Sequence, residues 1–362
     1  MPEFPLRLEA RSEASRFMKL LSPLVAVVLT LASGLVLFSV LGRDPLEAFQ
    51  LFFVKPVQDL YGLSELLLKA TPLMLCAIGL AAGFRANVWN IGAEGQFMFG
   101  AVGATGVALY FGESDSALVL PAMAFGGALA GAAWAGIPAF LRTRFNANEI
   151  LVSLMLVYVA QLTVSWLVFG PWRDPEGFNF PQTAMFGEAA LLPVIVEGTR
   201  LSLALPMALS VLLACYVFMD RSYAGFRMRV AGEAPAAARY AGFSTRRSVW
   251  IGLLVGGATA GLAGMSEVAG PMGQLTDKVN LGYGFAAIIV AFVGRLHAAG
   301  ILLASLLMAL LFLGGEQAQQ YMNLPSSISM VFQGLLLFFL LGSDVFIHYR
   351  LCFGRTTAHG GR

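Results

Sequence analysis

The chain has 362 residues, of which 58% are hydrophobic and 12% charged, and its net charge is +2. Its mean hydropathy is +0.75. Water-soluble domains carry about 25% charged residues, so this composition argues against a soluble globular enzyme. It argues more firmly against intrinsic disorder, which requires low hydrophobicity. The small charge imbalance implies no nucleic-acid partner. Forty glycines in so apolar a chain point to helices that approach one another closely in lipid. Cys76, Cys215 and Cys352 are far apart, as are His297, His348 and His359. Neither set forms a metal-ligand or redox spacing, so no metal site and no cofactor are expected.

A straight membrane span needs about 20 mostly apolar residues. In chain order, segments 20–41, 66–84, 95–112, 117–140, 149–170, 200–219, 249–270, 299–316 and 327–347 meet or approach that length. A tenth, 283–294, is short and flanked by glycine. The first follows Arg7, Arg11, Arg16 and Lys19 but is too long for the apolar core of a signal peptide, so it is expected to be a retained helix. Residues 44–60 place Leu46, Phe49 and Phe53 at helical spacing, as in an interfacial helix lying on the outer surface. Strand-like alternation is absent. The expected fold class is therefore an all-α polytopic membrane protein with about ten transmembrane helices.

Lys and Arg in the loops set the orientation. With the N-terminus in the cytoplasm and ten crossings, seventeen of the 23 basic residues fall inside. Nine crossings would put the basic C-terminus outside. The expected layout is a cytoplasmic segment 1–19, a transmembrane region 20–347 and a cytoplasmic tail 348–362. An external loop covers 171–199, and a cytoplasmic loop covering 220–248 carries six arginines. Helices 2–5 and 7–10 would run oppositely, which makes them a candidate inverted repeat. Gly127-x-x-x-Gly131 and Gly257-x-x-x-Gly261 offer close-packing faces in the two groups. A chance match between Gly-rich spans explains the pattern equally well.

Three stretches carry chemistry. Residues 84–97 hold Asn87, Asn90, Glu94 and Gln96, with Trp89 and Phe97 beside them, in almost no loop length between two apolar runs. Polar groups at membrane depth are costly unless they face protein or water. They either line a solute pathway or form a satisfied polar turn. Residues 230–243 place Pro235 near the start and Gly242 just past the end of a short Ala-rich helix that displays Arg239 and Tyr240. It is either a docking element or an ordinary surface helix. Residues 282–300 contain an apolar core of about 12 residues, too short for a straight span; they form either a half-helix ending near Arg295 or a tilted helix.

Among the other embedded acids, Glu149 follows Asn146 and Asn148 at a helix start, where capping is expected. Glu267 lies late in the seventh span and, with Glu316, is a further candidate for contact with solute. The four lysines are Lys19, Lys55, Lys69 and Lys278, and none follows a glycine. No nucleotide-binding P-loop can therefore be written. No catalytic constellation is found, and an enzyme is not expected.

The stretches GFRANVWNIGAEGQF (83–97), NEILVSLMLVYVA (148–160), AGEAPAAARYAGFS (231–244), GLAGMSEVAG (261–270) and GYGFAAIIVAFVGRLHAAG (282–300) resemble permease subunits of ABC importers. They resemble in particular the branched-chain amino acid and simple-sugar permease family, nearest its nucleoside or simple-sugar members. The likeness runs from about residue 60 to 345. It implies a type II importer permease in a bacterial inner membrane, with both termini cytoplasmic. It also implies separate ABC ATPase subunits, a second permease, identical or homologous, and an external substrate-binding protein or lipoprotein. Gly232, Glu233, Pro235, Ala238, Arg239, Tyr240 and Gly242 would then belong to the helix seated on the ATPase. Asn87, Trp89, Asn90, Glu94, Gln96, Phe97 and Glu267 are the candidates for the substrate pathway. A branched-chain amino acid permease and an ATP-independent secondary transporter or channel are the alternatives.

Overall fold

The computed structural model describes residues 6–11, 15–112, 114–325 and 327–353. Helices dominate: α1 Arg16–Val40, α2 Pro45–Phe49, α3 Leu60–Arg85, α4 Ala93–Phe111, α5 Val119–Phe145, α6 Glu149–Phe169, α7 Ala204–Arg221, α8 Tyr223–Glu233, α9 Pro235–Tyr240, α10 Thr245–Glu267, α11 Tyr283–Val293, α12 Ala298–Met322 and α13 Ser327–His348. All ten segments expected to cross a membrane are helical. Among the described residues, eight helices are long and apolar enough to do so by length and composition. The other two, α4 and α11, fall short for separate reasons. The first turn of α4 is polar, with Glu94 and Gln96, and α11 has only eleven residues.

The chain packs as two compact units, residues 1–54 with 314–362, and residues 55–313. In the first, α1 lies against α13 and Ser22 Oγ donates to Asp344 Oδ1 at 2.6 Å. Strands β1 (Leu6–Ala10) and β2 (Tyr349–Phe353) pair antiparallel, and Arg350 meets Glu9 at 3.0 Å. Of the two terminal segments expected in the cytoplasm, residues 1–5, 12–14 and 354–362 lie outside the described residues. Residues 44–60 are largely helical as expected, and the Phe49 and Phe53 rings lie side by side at 4.8 Å. A π-turn at Gln50–Val54 follows α2, and its wider winding rotates the following side chains. Phe52, within this turn, is fully buried against Phe38 and Phe332; Leu46, ahead of it, is exposed.

The second unit is organised around α10, which packs on α3, α4 and α5. The two glycine motifs expected as packing faces meet each other. A Cβ on Gly131 would collide with the Gly257 carbonyl, and one on Gly261 with the Gly127 carbonyl. With no side chains between them, the backbones of α5 and α10 come into direct contact, which raises the dispersion gain per residue. By contrast, α6 turns Leu151, Met155, Tyr158, Leu162, Trp166 and Phe169 outward along one face. A continuous exposed apolar stripe of that kind belongs in an apolar surrounding rather than in water.

Gly261→Ala should cost about 1–3 kcal/mol by overpacking, seen as a lower midpoint of thermal unfolding in detergent. Gly342→Ala, where the added methyl meets open space, should be neutral or stabilising by up to about 1 kcal/mol. Equal effects at the two positions would contradict the described packing.

Candidate functional site

The polar stretch after α3 folds into a compact break in the bundle. Asn87 takes a left-handed conformation, φ 54°, which asparagine tolerates better than most residues, and the chain reverses before α4. Asn90 and Gln96 exchange two amide hydrogen bonds. Asn90 Nδ2 donates to Gln96 Oε1 at 2.8 Å, and Gln96 Nε2 donates to Asn90 Oδ1 at 3.0 Å. The Gly92 N–H also donates to Asn90 Oδ1 at 3.0 Å. Ile91 N–H donates to Ser153 Oγ on α6 at 3.2 Å. Both amide side chains are buried, so their satisfaction within the turn removes a desolvation penalty of several kcal/mol.

Glu94 links this break to the short helix. It is fully buried in the first turn of α4, and its carboxylate reaches across to the start of α11. Gly282 N–H donates to Oε1 at 2.8 Å and Gly284 N–H to Oε2 at 2.5 Å. One carboxylate therefore meets the positive ends of two helices and satisfies amides that α11 itself leaves unpaired. Glycine is required on both sides of this contact. Gly282 has φ +78°, and a Cβ at Gly284 would enter the backbone of Ala93 and Glu94. At about 1.5 Å per residue, α11 is roughly half as long as the ~30 Å hydrocarbon layer is thick. The half-helix reading of this segment fits its observed bounds.

The remaining residues expected on a pathway do not all meet at this contact. Phe97 is buried, with Tyr283 edge-on at 6.2 Å. Trp89 is 38% exposed; its ring stacks near Phe84 and Phe292 and its Nε1 donates to Asn87 Oδ1 at 2.9 Å. Asn87 is exposed. Glu267 is buried at the end of α10, just before a π-turn at Val268–Met272, away from the 87–97 segment in sequence. Glu149 does not cap α6. Asn148 does so, accepting from Ile150 N–H at 2.9 Å, while Glu149 pairs with Arg142.

Residues 235–240 form the bracketed helix expected from sequence, but Gly232 and Glu233, expected in the same element, belong to α8. Pro235 opens α9 at its first position. Its end is closed by Gly242 N–H donating to Arg239 O at 3.0 Å and Phe243 N–H to Ala238 O at 2.8 Å, with Gly242 at φ +74°. This is the paired closure that a left-handed glycine permits. Ala238 is fully buried, whereas Tyr240 is 97% exposed and Pro235, Arg239 and Gly242 are exposed as well. Phe243 anchors the element against Tyr223 and Phe226 of α8, and the Arg227 guanidinium lies 5.4 Å from the Phe243 ring centre. Gly232 and Glu233 end α8 beside an open polar cavity of about 670 Å³, which is also lined by Arg85, Asn87, Asp220, Arg229 and Arg295.

Sequence reasoning missed Asp220 and its partners. Asp220 Oδ1 accepts from Arg85 Nη1 at 2.7 Å and from Arg229 Nη2 at 2.8 Å. The available signal was an acid at the end of a span, next to an Arg-rich loop. The bidentate pair of Arg200 with Glu65 was missed too, because 135 residues separate the partners.

The profile of the family described as branched-chain amino acid transport system, permease component, matches residues 62–341. The chain is 37% identical to the glucose ABC transporter permease protein TsgB13 of Haloferax volcanii, over 96% of this chain and 93% of that one. It is 29% identical to the guanosine ABC transporter permease protein NupP of Bacillus subtilis, over 91% and 94% of the two chains. It is 26% identical to the nucleoside ABC transporter permease protein NupB of Lactococcus lactis, over 89% and 90%. No solved structure matches the chain.

Glu94→Ala should lower stability by about 3 kcal/mol or more, since it leaves two buried N–H groups unpaired. Glu94→Gln, which keeps one acceptor, should lose less. Thermal unfolding in detergent orders the two, and equal stability of all three proteins would contradict the contact. Asn90→Ala and Gln96→Ala, alone and combined, should show a coupling of about 0.5–3 kcal/mol; strict additivity would contradict the reciprocal pair.

Proposed function

The chain belongs to the branched-chain amino acid transport system permease component family, and from that premise we propose how it works as the membrane pathway of an ABC importer for a nucleoside or simple sugar. The observation that carries the mechanism is α9, a rigidly closed helix of six residues whose outer face is bare. An importer must alternate between outward-open and inward-open states, and an energy source drives the exchange only through contacts that differ between them. The chain has no P-loop lysine, so the force comes from a separate ATPase. Arg239 and Tyr240 on α9 offer that ATPase a charge and an aromatic ring. Ala238 and Phe243 root the helix, so a push on α9 reaches α8 and α10 rather than being lost in a loose loop.

On this reading Asn90, Gln96 and Glu94 are the frame of the broken helix, and Asn87 and Trp89 are the members of the polar stretch open to a solute. Trp89 can stack on a base or cover a sugar face, and Asn87 can bond hydroxyls. Phe97, which meets Tyr283 of α11 edge-on, and Glu267 are assigned to the same route. The N-termini of α4 and α11 meet at Glu94, and these are the second members of the two helix groups predicted to be inverted repeats, which supports that symmetry. The pairing of β1 with β2 brings residues 6–10 and 349–353 together. This supports an even number of crossings and, with the distribution of arginines, a plasma-membrane protein with both ends in the cytoplasm. A second permease would complete the pathway, and an external binding protein or lipoprotein would deliver the solute. The relatives named for glucose, guanosine and nucleosides support sugars and nucleosides over branched-chain amino acids.

Uptake of labelled glucose, ribose, uridine, adenosine and leucine by the complete complex in vesicles tests the reading. ATP-dependent uptake of a sugar or nucleoside is expected; leucine alone, or uptake by this chain without ATP, would contradict it. Arg239→Glu should leave insertion and solubility unchanged and lower uptake and substrate-stimulated ATP hydrolysis at least tenfold. Normal uptake by that variant would remove α9 from the mechanism.

A further inference from the structure

The Asp220 cluster sits where the cytoplasmic loop leaves α7, and it joins three parts of the second unit. Arg85, the last residue of α3, donates through Nη1 to Asp220 at 2.7 Å. Through Nε it donates to the Leu296 carbonyl, in the turn between α11 and α12, at 3.0 Å. That turn is tight: Arg295 and Leu296 both have left-handed backbones, φ 55° and 54°, and Gly294 and Gly300 pack backbone to backbone. On the other side, α8 rests on the same point of α3. A Cβ on Gly232 would fall 2.5 Å from the Arg85 carbonyl and 2.8 Å from Ala86 C. The planar guanidinium of Arg85 thus spans from α7 to the end of α11, using donors in the fixed fork that distinguishes arginine from lysine.

We propose that Arg85 is the positioning residue that transmits movement of the 220–248 loop to α11. The inference rests on the coupling role of α9 proposed above and assigns the link between that helix and the pathway. A push on α9 moves α8, which bears on α3 through Gly232 and on Asp220 through Arg229. Arg85 carries the displacement to the C-terminal turn of α11, whose opposite end is held by Glu94. The half-helix thereby has a fixed end and a driven end. Arg229 keeps a hydrogen bond to Asp220 when Arg85 is removed, so the carboxylate retains a partner and the loop its fold. Loss of Arg85 therefore disconnects the parts without dismantling them.

The test uses the complete complex, with its ATPase, second permease and binding protein, in proteoliposomes. For Arg85→Gln the expected result is normal assembly, basal ATP hydrolysis within twofold of wild type, and at least a tenfold loss of substrate stimulation and uptake. Arg85→Lys, which restores the charge but not the two-way fork, should recover part of the stimulation. Arg229→Gln, which leaves the bridge from Arg85 to Asp220 and Leu296 in place, should lose less than threefold. Wild-type stimulation in Arg85→Gln would overturn the proposal, and so would a parallel loss of basal and stimulated hydrolysis. Spin labels at Ala237→Cys and Leu296→Cys supply a readout that does not depend on the Arg85 variants. With Arg85 present, their separation should stay constant when ATP is trapped, and a change of several ångströms would overturn the link. Absence of ATP-driven uptake by the wild-type complex would instead overturn the importer reading on which the proposal rests.

Discussion

A helix whose first turn is buried must satisfy its first amide groups from within the protein, and in this chain a single carboxylate does so for α11. Glu94 accepts from Gly282 and Gly284 while standing in the first turn of α4. The burial of a carboxyl group is costly, and two helix ends and two backbone hydrogen bonds offset part of that cost. The rest of the local structure follows from that contact. Gly282 and Gly284 must be glycine to allow it, the 86–92 turn must be short to place α4 beside it, and Asn90 and Gln96 must pair with each other because no water replaces them.

The glycine contacts supply the complementary constraint. Direct backbone contact between α10 and the neighbouring helices α4 and α5 leaves little room for sliding there. The 220–248 loop is attached instead through side chains, with Arg85 and Arg229 bonded to Asp220, and α9 projects outward from it. A permease driven by an external ATPase needs this division between a rigid bundle and an adjustable end.

Much of this was legible in the sequence. Apolar runs located every long helix, since a span's length is set by the thickness of the layer it crosses. The Pro235 and Gly242 bracket predicted α9, because both residues act locally through their backbone. The GxxxG faces on α5 and α10 were visible too, although nothing in the spacing said that they contact each other. What remained hidden depends on partners distant in the chain. Glu94 could be marked as costly, but not as the cap of a helix 188 residues later. Asp220 looked like one acid beside many arginines until Arg85 was placed next to it. The π-turn at 50–54, which buries Phe52, leaves no periodic signature.

The tie between Glu94 and α11 is tested most directly by hydrogen exchange of the peptide covering residues 280–287, with the protein in lipid nanodiscs. The account predicts that its first amides exchange as slowly as those of the middle of α10, and that Glu94→Gln accelerates them selectively. Exchange at the rate of an exposed loop in the unaltered protein would show that the N-terminus of α11 is not held by this carboxylate.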